Sequence, residues 1–297
     1  MSRRFELTDE EWDLIQPFLP PIQAQRGGRW RDHRQVLNAI IYRTRTGIPW
    51  RDLPERYGPW STAHQRLLRW EADGTWARIE EHLIDTGEAN LDAQIDSTVV
   101  RAHSHAAGAR KRGTALRTHE PPQGLGKSRA GLSTKVHTIC EGTGHPLVTT
   151  LTPGQDSDTL QLPVLLGPVR VNKPGPGRPR TRLNSLAGDR AYSSKANRDT
   201  LRTTRTRCTI PEREDQKTNR RNRGSTGGRP PDFDRQAYRQ RNRVERLMNR
   251  RKQFRALATR YDKLATTYRS TVRVADILIR LRARPDRPRT QDPSYTP

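Results

Sequence analysis

The hydrophobic pattern changes at residue 91, and this change limits the possible folds more than any other feature of the chain. Before it, apolar residues recur at helical spacing. After it, Leu91, Ala93 and Ile95 fall on one side of an extended strand, and Asp92 and Asp96 fall on the other. We therefore expect a boundary near residues 88–90, with an all-α region over 1–90 and a second domain over 91–282.

The order of the elements after this boundary predicts the fold of the second domain. Three strands are followed by a helix, a strand, a helix, a strand and a long helical segment. This order predicts an α/β fold with a mixed sheet flanked by helices, as in an RNase H-like core. The expected strands cover about 91–96, 133–141, 146–152, 183–187 and 207–210, and the helices about 158–166, 193–202, 235–262 and 266–281.

The first 90 residues predict a small helical region. Helices are expected at about 9–19, 32–46, 50–57, 61–72 and 75–86. The short helix, Gly-Pro turn and long helix of 50–72 resemble a helix-turn-helix, which can contact DNA or simply build a bundle. All six tryptophans lie in this region, and their roles are core packing or stacking on DNA.

Three segments lack periodicity. Residues 104–130 and 211–231 are basic and glycine-rich, and they predict loops that hold DNA phosphates. Residues 283–297 are rich in proline and arginine and predict a disordered tail.

The charge of the chain favours a nucleic-acid partner. Lys and Arg number 56 against 32 acidic residues, a formal net charge of +24. The excess is uneven, because residues 1–90 carry 13 basic and 14 acidic residues whereas 201–260 carry 19 and 6. A general arginine bias would not concentrate charge in this way. We expect a phosphate-binding surface in the later part of the chain.

Several other classes of protein are disfavoured. No stretch reaches 18 apolar residues, and the N-terminus lacks the apolar segment of a signal peptide. The two cysteines, Cys140 and Cys208, lie in strand-like settings without zinc-site spacing. No Walker-type phosphate loop is present. We expect a cytoplasmic protein without a membrane anchor or a nucleotide cofactor.

Three carboxylates occupy positions suited to metal ions. Asp96 lies near the end of the first strand, and Asp189 directly follows the fourth. Glu245 is the only acidic residue between 235 and 261. Two-metal phosphoryl transfer needs such hard oxygen ligands around Mg²⁺ or Mn²⁺. Glu245 could instead be an ion-pair partner, and Asp92, on the same strand face, is an alternative to Asp96.

Other titratable residues have simpler interpretations. Asp156 and Asp158 are expected to cap the helix that begins near 158. His137 is expected to pack on a strand face. His103 and His105 are expected to be solvated or to contact phosphate.

Helix geometry places Glu245 among cations. On a continuous helix Tyr238, Arg241, Glu245 and Lys252 lie within roughly 60° of arc, beside an apolar face. A metal-binding glutamate flanked by cations that hold DNA phosphates needs this arrangement.

The spacing Tyr238-x2-Arg241-x3-Glu245-x6-Lys252 resembles the YREK signature of bacterial insertion-sequence transposases of the DDE class, and the similarity is greatest to the insertion-sequence-five family. The resemblance covers about residues 5–282. Further family-like stretches are 7–12, 47–54, 96–98, 132–137, 187–192 and 258–263.

The resemblance implies roles for individual residues. Asp96, Asp189 and Glu245 would be the catalytic triad, binding two Mg²⁺ or Mn²⁺ ions on an RNase H-like fold. Tyr238, Arg241 and Lys252 would contact DNA, and the helical region over 1–90 would recognise the inverted-repeat ends of the mobile element. Arg251 departs from the pattern, because the apolar stripe of the helix calls for leucine there. We expect this arginine to reach past the edge of the core, or else to tilt the helix or destabilise the protein.

The resulting hypothesis is DNA transposition by a nucleoid-associated protein. Water attacks a phosphodiester at the element's end and frees a 3′-OH, which then attacks target DNA. Pairing two double-stranded ends calls for a homodimer or larger assembly. The alternatives are a catalytically inactive DNA-binding relative acting as a repressor, and an RNase H-like nuclease that hydrolyses nucleic acid without joining strands.

Overall fold

A computed structural model describes residues 4–23, 30–85, 89–108, 123–128, 131–173 and 176–283. Its helices are α1 (Asp9–Ile15), α2 (His33–Thr46), α3 (Trp60–Ala72), α4 (Thr75–Asp85), α5 (Gln161–Leu166), α6 (Lys195–Thr203), α7 (Glu214–Asn222), α8 (Arg235–Arg239), α9 (Asn242–Lys252), α10 (Arg255–Ala258) and α11 (Ala265–Leu281). Its strands are β1 (Asp92–Ala102), β2 (Gly126–Ser128), β3 (Gly131–Cys140), β4 (Pro146–Pro153), β5 (Ser185–Gly188), β6 (Arg207–Thr209) and β7 (Thr259–Arg260).

The strands form one mixed sheet. Its order is β2-β3-β1-β5-β6, with β4 also paired to β3 and β7 also paired to β1. β1, β3 and β4 pair antiparallel, whereas β1, β5 and β6 run parallel. The long hairpin from β3 to β4 turns at residues 142–144, and the parallel strands are reached through helical crossovers. The predicted α/β class with a mixed sheet is confirmed.

Helices cover both faces of the sheet. Ala93 and Ile95 of β1 pack with α5 and α6 in one apolar cluster. Val100, on the other face of β1, joins a second cluster with α9, α11 and the N-terminal helices. The prediction that Ala93 and Ile95 share one face of the first strand, opposite to Asp96, is therefore correct. The face that carries Asp96 lies under helices, however, and is not an open polar surface.

The N-terminal helices share their core with the end of the chain. Leu67, Trp70 and Ile79 belong to the same cluster as α9 and α11. Trp70 and Trp76 are fully buried with ring centroids 5.1 Å apart, so these two tryptophans do pack the core. Trp60, in contrast, is 38% exposed. The division of the chain at residue 90 stays a prediction.

Proline changes the predicted helices of the N-terminal region. The expected helix over 50–57 is two short 3-10 turns, Trp50–Asp52 and Glu55–Tyr57, because the residue before Pro54 is kept out of the helical conformation. Helix α3 begins at Trp60 with Pro59 as its N-cap, one residue before the expected start at 61.

Other elements also differ from expectation. The predicted helix over 235–262 is broken into α8, α9 and α10, and its last residues form β7 because the edge of β1 offers hydrogen bonds there. The segment 211–231 contains α7, in which Lys217 pairs with Glu214 one turn away. Within 104–130, residues 126–128 form β2. Residues 109–122 and nearly all of the predicted tail lie outside the described residues.

No helix among the described residues has the length and apolar character needed to cross a membrane.

Candidate active site

A gap in the pairing of the sheet forms the candidate site. β1 pairs with β5 as far as Ile95 and Gly188, and β7 joins the same side of β1 only at Arg101. Asp96 is the first residue of β1 beyond the β5 pairing, and Asp189 is the first residue after β5. Because the two strands are parallel and in register, both carboxylates emerge side by side at the carboxyl end of β5.

Gly188 permits this close approach. A Cβ atom on Gly188 would lie 2.8 Å from Cγ2 of Ile95, closer than side chains pack. A larger residue would push β5 away from β1 immediately before Asp189. The Gly-Asp pair at the end of this strand is therefore needed for the geometry of the site.

Backbone N–H groups orient the two aspartates. The amide of Ser97 donates to Oδ1 of Asp96 at 2.8 Å, and the amide of Ala191 donates to Oδ1 of Asp189 at 2.9 Å. Burial raises the pKa of Asp96 to about 6, and the negative charges of Asp189 and Glu245 add to this rise, against the Ser97 hydrogen bond and the Arg241 charge. The charges of Asp189 and Glu245 therefore both act on the carboxyl group of Asp96.

Helix α9 supplies Glu245. Val244, Leu247 and Met248 are buried between this helix and the sheet, which leaves Glu245 on the adjoining, half-exposed side. Its Oε1 lies 2.5 Å from Nη2 of Arg241. The same guanidinium places Nη1 3.6 Å from Oδ2 of Asp96. Arg241 thus stands between the two carboxylates.

The remaining residues of the predicted stripe lie along the same helix. The ring centroid of Tyr238 is 5.9 Å from Cζ of Arg241, although the α-helix is interrupted between α8 and α9, where backbone N–H groups bond to the carbonyl three residues earlier. Lys252, at the end of α9, is exposed and lines a small cleft with Thr98 and Val100 of β1. Arg241 and Lys252 therefore both lie beside β1, at Asp96 and at Thr98 respectively.

Arg251 does not reach past the edge of the core. It is 3% exposed, and its Nε and Nη2 contact the two carboxylate oxygens of Asp276 in α11 at 2.8 and 2.6 Å. Its Nη1 and Nη2 also contact the hydroxyls of Thr138 and Thr149 at 2.5 and 2.7 Å. The expectation of an arginine that extends to solvent was wrong, because the opposite charge lies inside the core.

A second polar cluster lies beside the site and was not predicted as a unit. Lys135 and His137 project from the same face of β3, where Nζ of Lys135 lies 2.9 Å from Asp158 and Nδ1 of His137 lies 3.7 Å from it. His137 is fully buried, as expected, and burial lowers its pKa to about 4. Ser157 is the N-cap of the 3-10 turn here, so the caps predicted at Asp156 and Asp158 were wrong. The spacing of two residues between Lys135 and His137, which places them on one face of a strand, was the sequence feature that could have predicted this cluster.

Asp92 lies at the opposite end of the pairing from Asp96. It is exposed and accepts a hydrogen bond from the Ser185 hydroxyl at 2.6 Å. Asp96 lies four positions further along the strand, which is roughly 13 Å. This position favours Asp96 over Asp92 as the companion of Asp189.

The residues of the site suit divalent ions by their chemistry. Carboxylate oxygens are the hard ligands that Mg²⁺ and Mn²⁺ select. Asp96 and Glu245 share one guanidinium, that of Arg241, and the charge of Asp189 also acts on Asp96. Within the described ranges, no three His, Cys, Asp or Glu side chains converge closely enough to hold an ion. Binding an ion would therefore require the side chains around Arg241 to rearrange.

Comparison with known proteins identifies the two parts of the chain. Residues 7–80 match the family described as putative transposase of the IS4/5 family. The chain is 40% identical over 107 residues to the uncharacterized protein y4sN of Sinorhizobium fredii, covering 35% of this chain and 83% of that protein. It is 37% identical over 107 residues to the insertion element IS402 uncharacterized 16.2 kDa protein of Burkholderia cepacia, covering 32% and 73%. No solved structure was found to match.

The second part of the chain gives the wider match. Residues 93–274 match the family described as transposase DDE domain, and this segment is more than half of the chain. The mixed sheet with helices on both faces is consistent with the RNase H-like fold. Transposases of this kind act on DNA and generally use divalent metal ions. The family resemblance drawn from the sequence is confirmed: the chain belongs to the DDE transposases.

Proposed function

We propose that this transposase cleaves the ends of its insertion sequence and transfers the freed 3′-OH strand to target DNA, with Asp96, Asp189 and Glu245 as the catalytic carboxylates. The observation that carries the proposal is that Asp96 and Asp189 leave neighbouring strands at the gap between β5 and β7, and that Arg241 contacts both Asp96 and Glu245. Each comes from a different element, and all lie inside the matched transposase domain.

The three carboxylates would hold two divalent ions. When bound, such ions activate the attacking oxygen and neutralise charge on the leaving oxygen of a phosphodiester. Asp96 and Asp189 are oriented by the amides of Ser97 and Ala191, each of which donates to one carboxylate oxygen and leaves the other for an ion. Glu245 comes from α9 and is linked to Asp96 through Arg241.

The cations nearby would position the DNA backbone. Tyr238, Arg241 and Lys252 follow one side of the site, where phosphates of a scissile strand would pass. Helix α7 exposes Arg221, and Arg223 follows it, on the segment where the excess of positive charge was expected. We propose that the helices of residues 7–80 recognise the inverted-repeat ends, and that at least two copies pair two ends.

The test is cleavage and strand transfer on DNA that carries the element's own ends, with Mg²⁺. We expect Glu245→Gln to lose at least about 10²-fold in both reactions, the loss typical of removing one preorganised stabilising group, while DNA binding persists. Asp92→Asn is the matched control, because it removes a carboxylate from the same face of β1 and should keep activity.

The alternatives give other results. Binding without cleavage by the unaltered protein, in Mg²⁺ and in Mn²⁺, would support the inactive repressor. Cleavage without joined product would support a nuclease. Loss of activity in Asp92→Asn but not in Glu245→Gln would mean that the active site has been misassigned.

A further inference from the structure

We propose that Arg241 competes with metal ions for Asp96 and Glu245, and that DNA, by binding the guanidinium, releases both carboxylates for metal. The inference rests on the proposed function, since it requires that these carboxylates bind metal. It assigns to Arg241 control over metal loading, in addition to contact with DNA.

Arg241 lies between Asp96 and Glu245 and contacts both carboxylates. Its guanidinium reaches Glu245 at 2.5 Å and Asp96 at 3.6 Å through two different nitrogens. The side chain is 21% exposed, against 46% for Glu245, so it lies deeper than the glutamate that it contacts. The Tyr238 ring packs behind it at 5.9 Å.

The charges of the site explain why a bridge is needed. Asp96 and Asp189 leave adjacent strands side by side, and Glu245 shares one guanidinium with Asp96. Without a cation, carboxylates in a partly buried gap repel one another and lose hydration. The guanidinium is always charged and offers several donors in one plane, so it satisfies both carboxylates at once.

The position of Arg241 in the chain also allows its side chain to move away from the two carboxylates. It lies at the break between α8 and α9, where it precedes the first residue of the helix that carries Glu245. Its donor geometry matches a phosphate as well as a carboxylate. A DNA phosphate that takes up the guanidinium would therefore free Asp96 and Glu245 for metal. By reciprocity, DNA and metal should each strengthen the binding of the other.

The experiment measures Mn²⁺ binding directly, by electron paramagnetic resonance titration of the full chain with MnCl₂, with and without a DNA end. Four proteins are compared: unaltered, Arg241→Gln, Arg246→Gln and Glu245→Gln. Arg246 is the matched control, because it is exposed, lies next to Glu245 on the same helix and removes the same charge. Without DNA, Arg241→Gln should bind Mn²⁺ roughly tenfold more tightly, the factor expected for losing one charge-assisted competitor.

Two further results complete the test. DNA should strengthen Mn²⁺ binding by the unaltered protein more than by Arg241→Gln, because the variant has no guanidinium to displace. The inference would be overturned if the unaltered protein, Arg241→Gln and Arg246→Gln all bound Mn²⁺ with equal affinity. It would also be overturned if Arg241→Gln and Arg246→Gln gained Mn²⁺ affinity to the same extent. Mn²⁺ affinity that is unchanged in Glu245→Gln would instead count against the proposed metal ligands themselves.

Discussion

Arg251 and Asp276 form a charge pair within the apolar core, between α9 and α11. Both side chains are almost fully buried, and two hydroxyls, of Thr138 and Thr149, accept the hydrogen bonds that the carboxylate does not take. Because the guanidinium is satisfied, its burial is compatible with a stable helix in this position. The sequence pattern alone had favoured leucine here.

We expect Arg251→Leu to destabilise the protein by about 3–5 kcal/mol, because it leaves the carboxylate of Asp276 buried without its partner. Replacing both residues by leucine should recover most of this loss, since a buried pair can be exchanged for apolar side chains at little net cost. The measurement is the free energy of unfolding from urea titrations. A double variant no more stable than Arg251→Leu would contradict this account.

At the scale of elements, α2 and α10 meet at a glycine. Gly47 ends α2 with φ of 70°, and a Cβ atom there would lie 2.9 Å from Cβ of Arg255 and 3.2 Å from its carbonyl carbon. Both the left-handed backbone and the close neighbour exclude a side chain. The contact fixes the N-terminal region against the segment that follows α9.

Gly47→Ala should therefore cost more stability than Gly74→Ala. Gly74 has φ of 77° but only Nη1 of Arg78 near it, at 3.5 Å, so its replacement costs roughly 1–2 kcal/mol from backbone strain alone. Gly47→Ala adds a clash with backbone, and we expect a larger loss in urea unfolding. Equal losses for the two variants would show that the α2–α10 contact is loose.

Elements marked by the periodicity of their own sequence were predicted well, whereas elements whose structure depends on pairing with distant residues were not. The strands β1, β3 and β4 and the helix α11 agree with expectation to within a few residues, except that β1 runs on to Ala102, because side-chain alternation marks both faces. β7 was predicted as helix. It is extended because the backbone of β1 at Arg101 and Ala102 offers pairing. These pairing partners are far away in the chain, so the local periodicity of the segment does not reveal them.

At the scale of the whole molecule, ion pairs join the two ends of the chain. Glu71 of α3 contacts Arg269 and Arg273 of α11 at 3.1 and 3.0 Å, and Arg43 of α2 contacts Asp262 at 3.2 Å. The shared apolar cluster lies beneath these contacts. The N-terminal helices are therefore structurally continuous with the sheet that carries the site.

We expect one cooperative unfolding transition for the chain. Tryptophan fluorescence reports on residues 1–90, which contain all six tryptophans, whereas thiol labelling of buried Cys140 reports on β3. A Cys208→Ser background leaves Cys140 as the only thiol. The two probes should give the same midpoint in urea. Midpoints that differ clearly would show that residues 1–90 unfold as a separate unit.

The sequence by itself determined the class of fold and the candidate carboxylates. Strand ends, a Gly-Asp step and a lone glutamate among arginines are local features, and the order of elements brings them to one edge of a sheet. Only the tertiary structure decided how their charges are balanced. Arg241 bridges Asp96 and Glu245, and Arg251 finds Asp276, because partners distant in the chain are set by packing and not by periodicity.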